Sequence, residues 1–250
     1  MINLKTTREL RYMRDAGKIS QEALLKAGEA VRPGVSTLEL DKIVRRTIEK
    51  AGAVPSFLGY GGFPASACIS VNNVVIHGIP SAHEILKEGD IVSIDVGAIY
   101  EGFNGDNAWT FPCGKVSEEA PKLMDATRES LFLAIEKAVP GNRIGDIGSA
   151  VQQYVEARNY SVVREFVGHG VGAKLHEDPS VPNYGTPGRG VRLLPGMTIA
   201  IEPMVTQGSC EVKILKDGWT TVTKDGKLAA HFEHSIAITP DGPVILTSLD

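Results

Sequence analysis

The sequence predicts an α+β fold built as two related halves of one domain, about 1–115 and 116–250 within residues 1–250. Helical segments with one apolar face and short apolar strand-like runs follow one another along the chain. A turn pattern also recurs: Pro33-Gly34 and Pro140-Gly141 each precede a predicted helix, Gly89 and Gly196 each precede a predicted strand, and both pairs are 107 residues apart (from 33 to 140, and from 89 to 196). Chance is the competing reading, because Pro-Gly is a common turn. The second pair, however, leads each time to an acid six residues later, Asp95 and Glu202. A duplicated half with a site between the copies brings those acids near each other.

The first helix is predicted from Thr6 to about Glu29, with Thr6 or Thr7 as cap and Leu10, Met13, Gly17, Leu24 and Ala27 on one face. The second starts at Ser36, which has capping-box spacing to Glu39, buries Leu40, Ile43, Val44 and Ile48, and ends at Gly52. A segment rich in Gly and aromatic residues, Phe57 to Ala67, precedes a strand from Cys68 to Ile76. The strand from Ile91 turns near Glu101-Gly102 and returns through Asp106. Helices follow at about Glu118–Ala138 and Ile144–Arg158. The remaining strands are expected at Val162–Val167, Thr198–Val205, Glu211–Leu215 and Phe232–Thr239, with a Gly- and Pro-punctuated loop from Asp178 to Arg192.

Composition excludes several function classes. The chain is 42% hydrophobic and 22% charged, ordinary for a globular protein. A net charge of −4 without a long basic run argues against nucleic acid as the main partner, though a local patch can still meet a ribosome. Cys68, Cys113 and Cys210 are odd in number and widely spaced, which disfavours a thiolate zinc site and fits reduced thiols in the cytoplasm. The N-terminus lacks the apolar core of a secretion signal. No uncharged apolar stretch approaches the ~20 residues that span a bilayer.

The chemistry is carried by acids in unexpected places. Asp95 lies inside Ile91–Ile99 and Glu202 inside Thr198–Val205, both apolar runs. A lone buried carboxylate is costly and takes up a proton. Asp106 and Glu233 have similar settings, and His169 is flanked by Gly168 and Gly170, so backbone can approach closely there. A metal site explains all five, against the separate readings of a buried structural acid for Asp95, a turn residue for Asp106 and a structural histidine for His169. Four carboxylates balance two divalent cations, and a pair of metals ~3.5–4 Å apart can share a bridging water. Oxygen ligands with one imidazole suit Mn, Co, Fe or Zn. Alternation puts His231 on the face of Glu233. His77 and His176 each precede a proline by three residues. Each is either an exposed loop histidine or a hydrogen-bond donor to substrate.

The runs Asn72–Pro80, Asp95-Val96-Gly97, Gly105–Phe111, Gly168–Gly172, Leu175–Pro179, Ile201-Glu202-Pro203 and Phe232–Ser235 together resemble type I methionine aminopeptidase, in order along essentially the whole chain. The resemblance implies the short bacterial form, without a zinc-binding extension or a long insertion. It implies the pita-bread fold: two pseudo-symmetric halves, an antiparallel sheet covered by helices, and a dinuclear metal site between the halves. Carried over by position, Asp106 and Glu233 bridge two divalent ions (Co, Mn, Fe or Zn), Asp95 binds one, and His169 with Glu202 completes the other. His77 and His176 contact substrate, and Tyr60, Phe63, Cys68 and Trp219 form the methionine pocket. A hydroxide bridging the metals attacks the first peptide carbonyl, Glu202 shuttles the proton, and a small second residue is preferred. The implied partner is the N-terminal methionine of nascent polypeptides near the ribosome, met by a cytoplasmic monomer with no membrane or nucleic-acid role. Phe57 stands where some members have cysteine, Leu175 where some have an aromatic residue, Ala173 where a basic residue is frequent, and Asn104 where histidine is common. A proline-specific peptidase of the same fold and a non-catalytic pita-bread binding protein are the rivals. The first usually carries a long N-terminal domain, and the second loses metal ligands that are all present here.

Overall fold

The computed structural model describes residues 2–249. Its four α-helices are α1 (Thr7–Glu29), α2 (Thr37–Lys50), α3 (Glu119–Glu136) and α4 (Ile144–Glu156). Thr6 and Ser36 cap α1 and α2 with reciprocal capping boxes to Glu9 and Glu39. In each, the hydroxyl accepts the N3 amide while the N3 carboxylate accepts the cap amide, so two otherwise orphaned donors are satisfied.

The main sheet is antiparallel and has nine strands. Its path runs from Val54–Pro55 through Ile91–Tyr100, Phe103–Pro112, Glu233–Thr239, Thr198–Ile201 and Gly168–Gly170 to Glu177–Val181, with Ala67–Val71 and Gly242–Ile245 attached beside it. The two parts of the chain meet where Phe103–Pro112 pairs with Glu233–Thr239. On one side α1 and α2 bury Leu24, Leu40, Ile48, Ile94 and Val96 in one core; on the other, α3 and α4 bury Leu123, Leu131, Ile147, Ile199 and Ile236 in a second. Each such side chain, fully withdrawn from water, stabilises the fold by about 1.5–3 kcal/mol. Helices therefore clamp both wings of the sheet, and the seam between the wings is held by strand pairing.

Several elements differ from their sequence expectation. The strand expected from Cys68 to Ile76 is two, Ala67–Val71 and Val74–Ile76, because Asn72 takes a left-handed φ of 55°. The second piece joins a small sheet with Val212–Ile214 and Thr221–Thr223. Only Ser161–Val162 of the region around Val162–Val167 pairs. The segment expected as a loop from Asp178 opens inside a strand, Glu177–Val181.

The run expected as one strand from Thr198 to Val205 changes sheets, and the chain around Phe232 does so beside it. Thr198–Ile201 lies in the main sheet and Met204–Thr206 in a three-stranded one; likewise Glu233–Thr239 and Ala229–His231. Pro203 has no N–H to continue the ladder, and Phe232 N–H donates to Pro203 C=O across the break. The register is the same on both sides, with Met204 opposite His231 and Ile201 opposite His234. Glu202 and Glu233 therefore stand opposite each other at the crossing.

Candidate metal centre and its cavity

Register alone assembles four acids on one face. Asp95 pairs with Ala108, and Ala108 pairs with Glu233. Residues opposite each other on antiparallel strands point to the same side, so Asp95, Ala108, Glu233 and Glu202 form one row across four strands. Asp106, two residues before Ala108, shares the face by alternation. The seam of the sheet thus carries two acids from each wing.

His169 reaches this row from the next strand because its neighbours are glycines. A Cβ at Gly168 would lie 2.3 Å from Ala200 O, and one at Gly170 would lie 2.2 Å from Asp178 O. Only glycine permits that backbone approach. His169 Nδ1 is 2.8 Å from Gly170 O, which turns Nε2 toward the acids. Nε2 lies 3.7 Å from Asp106 Oδ2 and 3.6 Å from Glu202 Oε1. Those separations are too long for hydrogen bonds and leave room for an ion at ~2.0–2.2 Å from each ligand atom. Asp106, His169 and Glu233 offer ligand atoms all within 4.8 Å of one another. Asp95 Oδ1, Asp106 Oδ1 and Glu233 Oε1 are buried with no hydrogen-bond partner. Orphaned buried oxygens of this kind demand a partner, and a divalent cation is one that this donor set fits.

Burial, followed by repulsion among neighbours, pushes Asp95, Glu202 and Glu233 well above the usual carboxylate range; burial raises Asp106 to about 7. His169 and His77 are pushed down to about 4, chiefly by burial and then by His176. His176 is itself lowered by burial. At neutral pH the cluster holds neutral imidazoles, able to bind metal or to donate one hydrogen bond, beside acids that bind protons when no cation is present.

The five expected ligands, His77, His176 and the four expected pocket residues all line one cavity of about 140 Å³, joined by Phe57 and Leu175. Phe63 meets Trp219 edge-on, ring centroids 5.2 Å apart, with Cys68 and Leu175 in the same apolar cluster. Burial raises the Cys68 thiol well above its ordinary value, so it packs as a neutral group. Tyr60 is 45% exposed, and its hydroxyl lies 2.8 Å from His176 Nδ1, so it touches a histidine as well as the pocket. The His176 ring lies tilted against that of His169, centroids 4.1 Å apart. His77 holds a left-handed φ of 58° between Phe166 and Trp219, strain of a kind concentrated at functional sites.

Other contacts had no local sequence signal. Asn104 is buried, accepts from Ser56 Oγ, and donates to the carbonyls of Gly172 and Ala173, tying the His169–His176 loop to the first wing. Lys5 and Glu177 form a 2.6 Å ion pair, 5% and 7% exposed, next to His176. His231, placed beside Glu233 by alternation, faces Glu202 as well.

A family model for metallopeptidase family M24 matches residues 11–240. The methionine aminopeptidase of Clostridium perfringens is 60% identical over 99% of both chains, and methionine aminopeptidase 1 of Bacillus subtilis is 54% identical over 99% of both. The crystal structure of methionine aminopeptidase from Thermotoga maritima superposes with a TM-score of 0.98 at 47% identity, covering 99% of this chain and 100% of that one. Full-length similarity at this level, together with the pita-bread arrangement of two helix-covered wings around a carboxylate seam, leads to one conclusion: the chain belongs to metallopeptidase family M24, among the methionine aminopeptidases.

Proposed function

We propose that this chain hydrolyses the first peptide bond of polypeptides that begin with methionine, preferring a small second residue, with two divalent ions held by Asp95, Asp106, His169, Glu202 and Glu233. The observation that carries the reading is the meeting, in one cavity, of the orphaned carboxylate cluster with an apolar pocket lined by aromatic residues and a thiol. An unbranched thioether suits such a pocket. Mn, Co, Fe and Zn fit the oxygen-rich donor set. The reading includes action on nascent chains in the cytoplasm, near the ribosome, as a monomer; among the described residues no helix is long and apolar enough to cross a membrane.

Bound divalent ions supply Lewis acidity at the scissile carbonyl and lower the pKa of water. Glu202, whose carboxylate lies 3.6 Å from His169 Nε2 at the cluster, accepts the proton from the attacking water and passes it to the leaving amine. With the Tyr60 phenol donating to His176 Nδ1, Nε2 carries the imidazole hydrogen and donates to the oxygen that gains charge in the tetrahedral species. His77, which lines the same cavity, orients the substrate. Phe57, Phe63, Cys68, Leu175 and Trp219 enclose the methionine side chain.

The test is release of free Met from Met-Ala-Ser, and of Xaa from Xaa-Pro peptides, each with and without chelator. Met release that chelation abolishes, without Xaa-Pro cleavage, is the expected result. Preferential Xaa-Pro cleavage points to a proline-specific peptidase, and metal-loaded protein inert toward both points to a binding protein.

A further inference from the structure

Glu202 stands between two imidazoles. Its Oε1 is 3.6 Å from His169 Nε2, and its Oε2 is 3.7 Å from His231 Nε2. The His231 residue is 2% exposed, and its Nε2 is the one buried side-chain nitrogen without a hydrogen-bond partner among the described residues. Its main chain is held from two sides. His231 N–H donates to Thr110 Oγ1, the Thr110 hydroxyl donates to His231 C=O, and the residue pairs with Met204. Space-filling does not account for it, since an apolar side chain would fill the volume without burying an unpaired polar atom.

We propose that His231 is a positioning residue for Glu202: at 3.7 Å its Nε2 stands just beyond hydrogen-bond range of Oε2, and a small rotation of the Glu202 side chain lets Nε2–H donate to Oε2 so that Oε1 faces the cation site shared with His169. A carboxylate oxygen has lone pairs enough to accept this bond and still receive a proton from water. The two oxygens then have separate tasks, and the carboxylate cannot rotate to exchange them. Groups beyond the ligands that fix ligand orientation are common at metal sites, and their loss typically costs ~10–100-fold in affinity or activity. The inference rests on Glu202 as proton carrier in the reaction proposed above.

Three proteins test it: the natural chain, His231→Leu and His231→Gln. Mn²⁺ is titrated into each metal-free protein by calorimetry, and kcat and KM are measured on Met-Ala-Ser. The expected result for His231→Leu is unchanged ion stoichiometry, KM within a small factor, and kcat down by ~10–100-fold. His231→Gln, whose amide retains a donor, recovers most of that loss. Should the leucine variant not fold, His231→Asn, with an amide too short to reach Oε2, replaces it. A leucine variant with natural kcat, a glutamine variant no better than leucine, or loss of an ion on removing the ring would each overturn the proposal. If the natural chain releases no methionine, the reaction itself is wrong, whatever the variants show.

Discussion

Ala108 offers the sharpest perturbation of the metal seam. It is fully buried and is the register partner of Asp95 on one strand and of Glu233 on the other. Neighbouring strands lie ~4.8 Å apart, so the Cβ atoms of Asp95 and Glu233 stand roughly 9–10 Å apart across it. The small side chain at 108 leaves that interval open for what the two carboxylates would hold. Ala108→Val sends two methyl groups into it. Overpacking of a closed core costs ~1–3 kcal/mol; with a cavity of about 140 Å³ beside the row, the metal-free fold should lose an amount near the lower end. Ion binding has no such slack, and a loss of one ion or at least tenfold weaker binding, about 1.4 kcal/mol, is expected. Calorimetric titration of metal-free protein with Mn²⁺ reads the second effect, and urea unfolding reads the first. Ala108→Gly is the control and should bind both ions. A valine variant that binds two ions with natural affinity refutes the row as the floor of the site.

Replacing His176 with alanine should lower kcat by about two to three decades, the ~2.7–4 kcal/mol typical of one oxyanion donor, with both ions retained; His169→Ala should instead lose occupancy of one ion, and the reverse pattern in metal analysis would exchange their roles. Cys68→Ser should keep turnover within about one order of magnitude, because a buried thiol held neutral packs against substrate and does not attack it; complete loss of kcat with folding and metal intact would indicate a thiol mechanism. Metal-free protein should lose stability as pH rises from 6.5 to 8. The buried histidines have depressed folded pKa values, so their contribution is complete above the unfolded value of 6.5. The acids have raised folded values, about 7 for Asp106, so their contribution is lost as pH rises through that range. Urea midpoints should fall across that window and saturating Mn²⁺ should reverse the fall; a flat profile contradicts the burial of the acids.

What could be read in the sequence was whatever a residue type does against its surroundings. A carboxylate in the middle of an apolar strand is anomalous wherever it occurs, so Asp95 and Glu202 stood out, and Ser36 with Glu39 marked a helix start three residues apart. What stayed hidden depends on where strands end and on distant pairs. Pro203 favoured extended backbone before it, but nothing local showed that both strands would change sheets there and bring His231 to Glu202. Lys5 finds Glu177 across 172 residues, and Asn104 finds Gly172 across 68. Tyr60 read as a pocket aromatic; its hydroxyl bond to His176 needed the loop in three dimensions. The Glu177–Val181 strand was masked by Asp178 and Pro179, residues that depress strand propensity and that edge position tolerates.

The central claim is that two divalent ions on the seam between the wings make this chain release methionine. The direct measurement is a titration of metal-free protein with Mn²⁺, following bound ion per chain and Met released from Met-Ala-Ser in the same samples. The account predicts no release without metal, activity that rises with occupancy, and two ions bound per chain at saturation. Full release by protein verified as metal-free, or saturation with no ion bound at the seam, would contradict it.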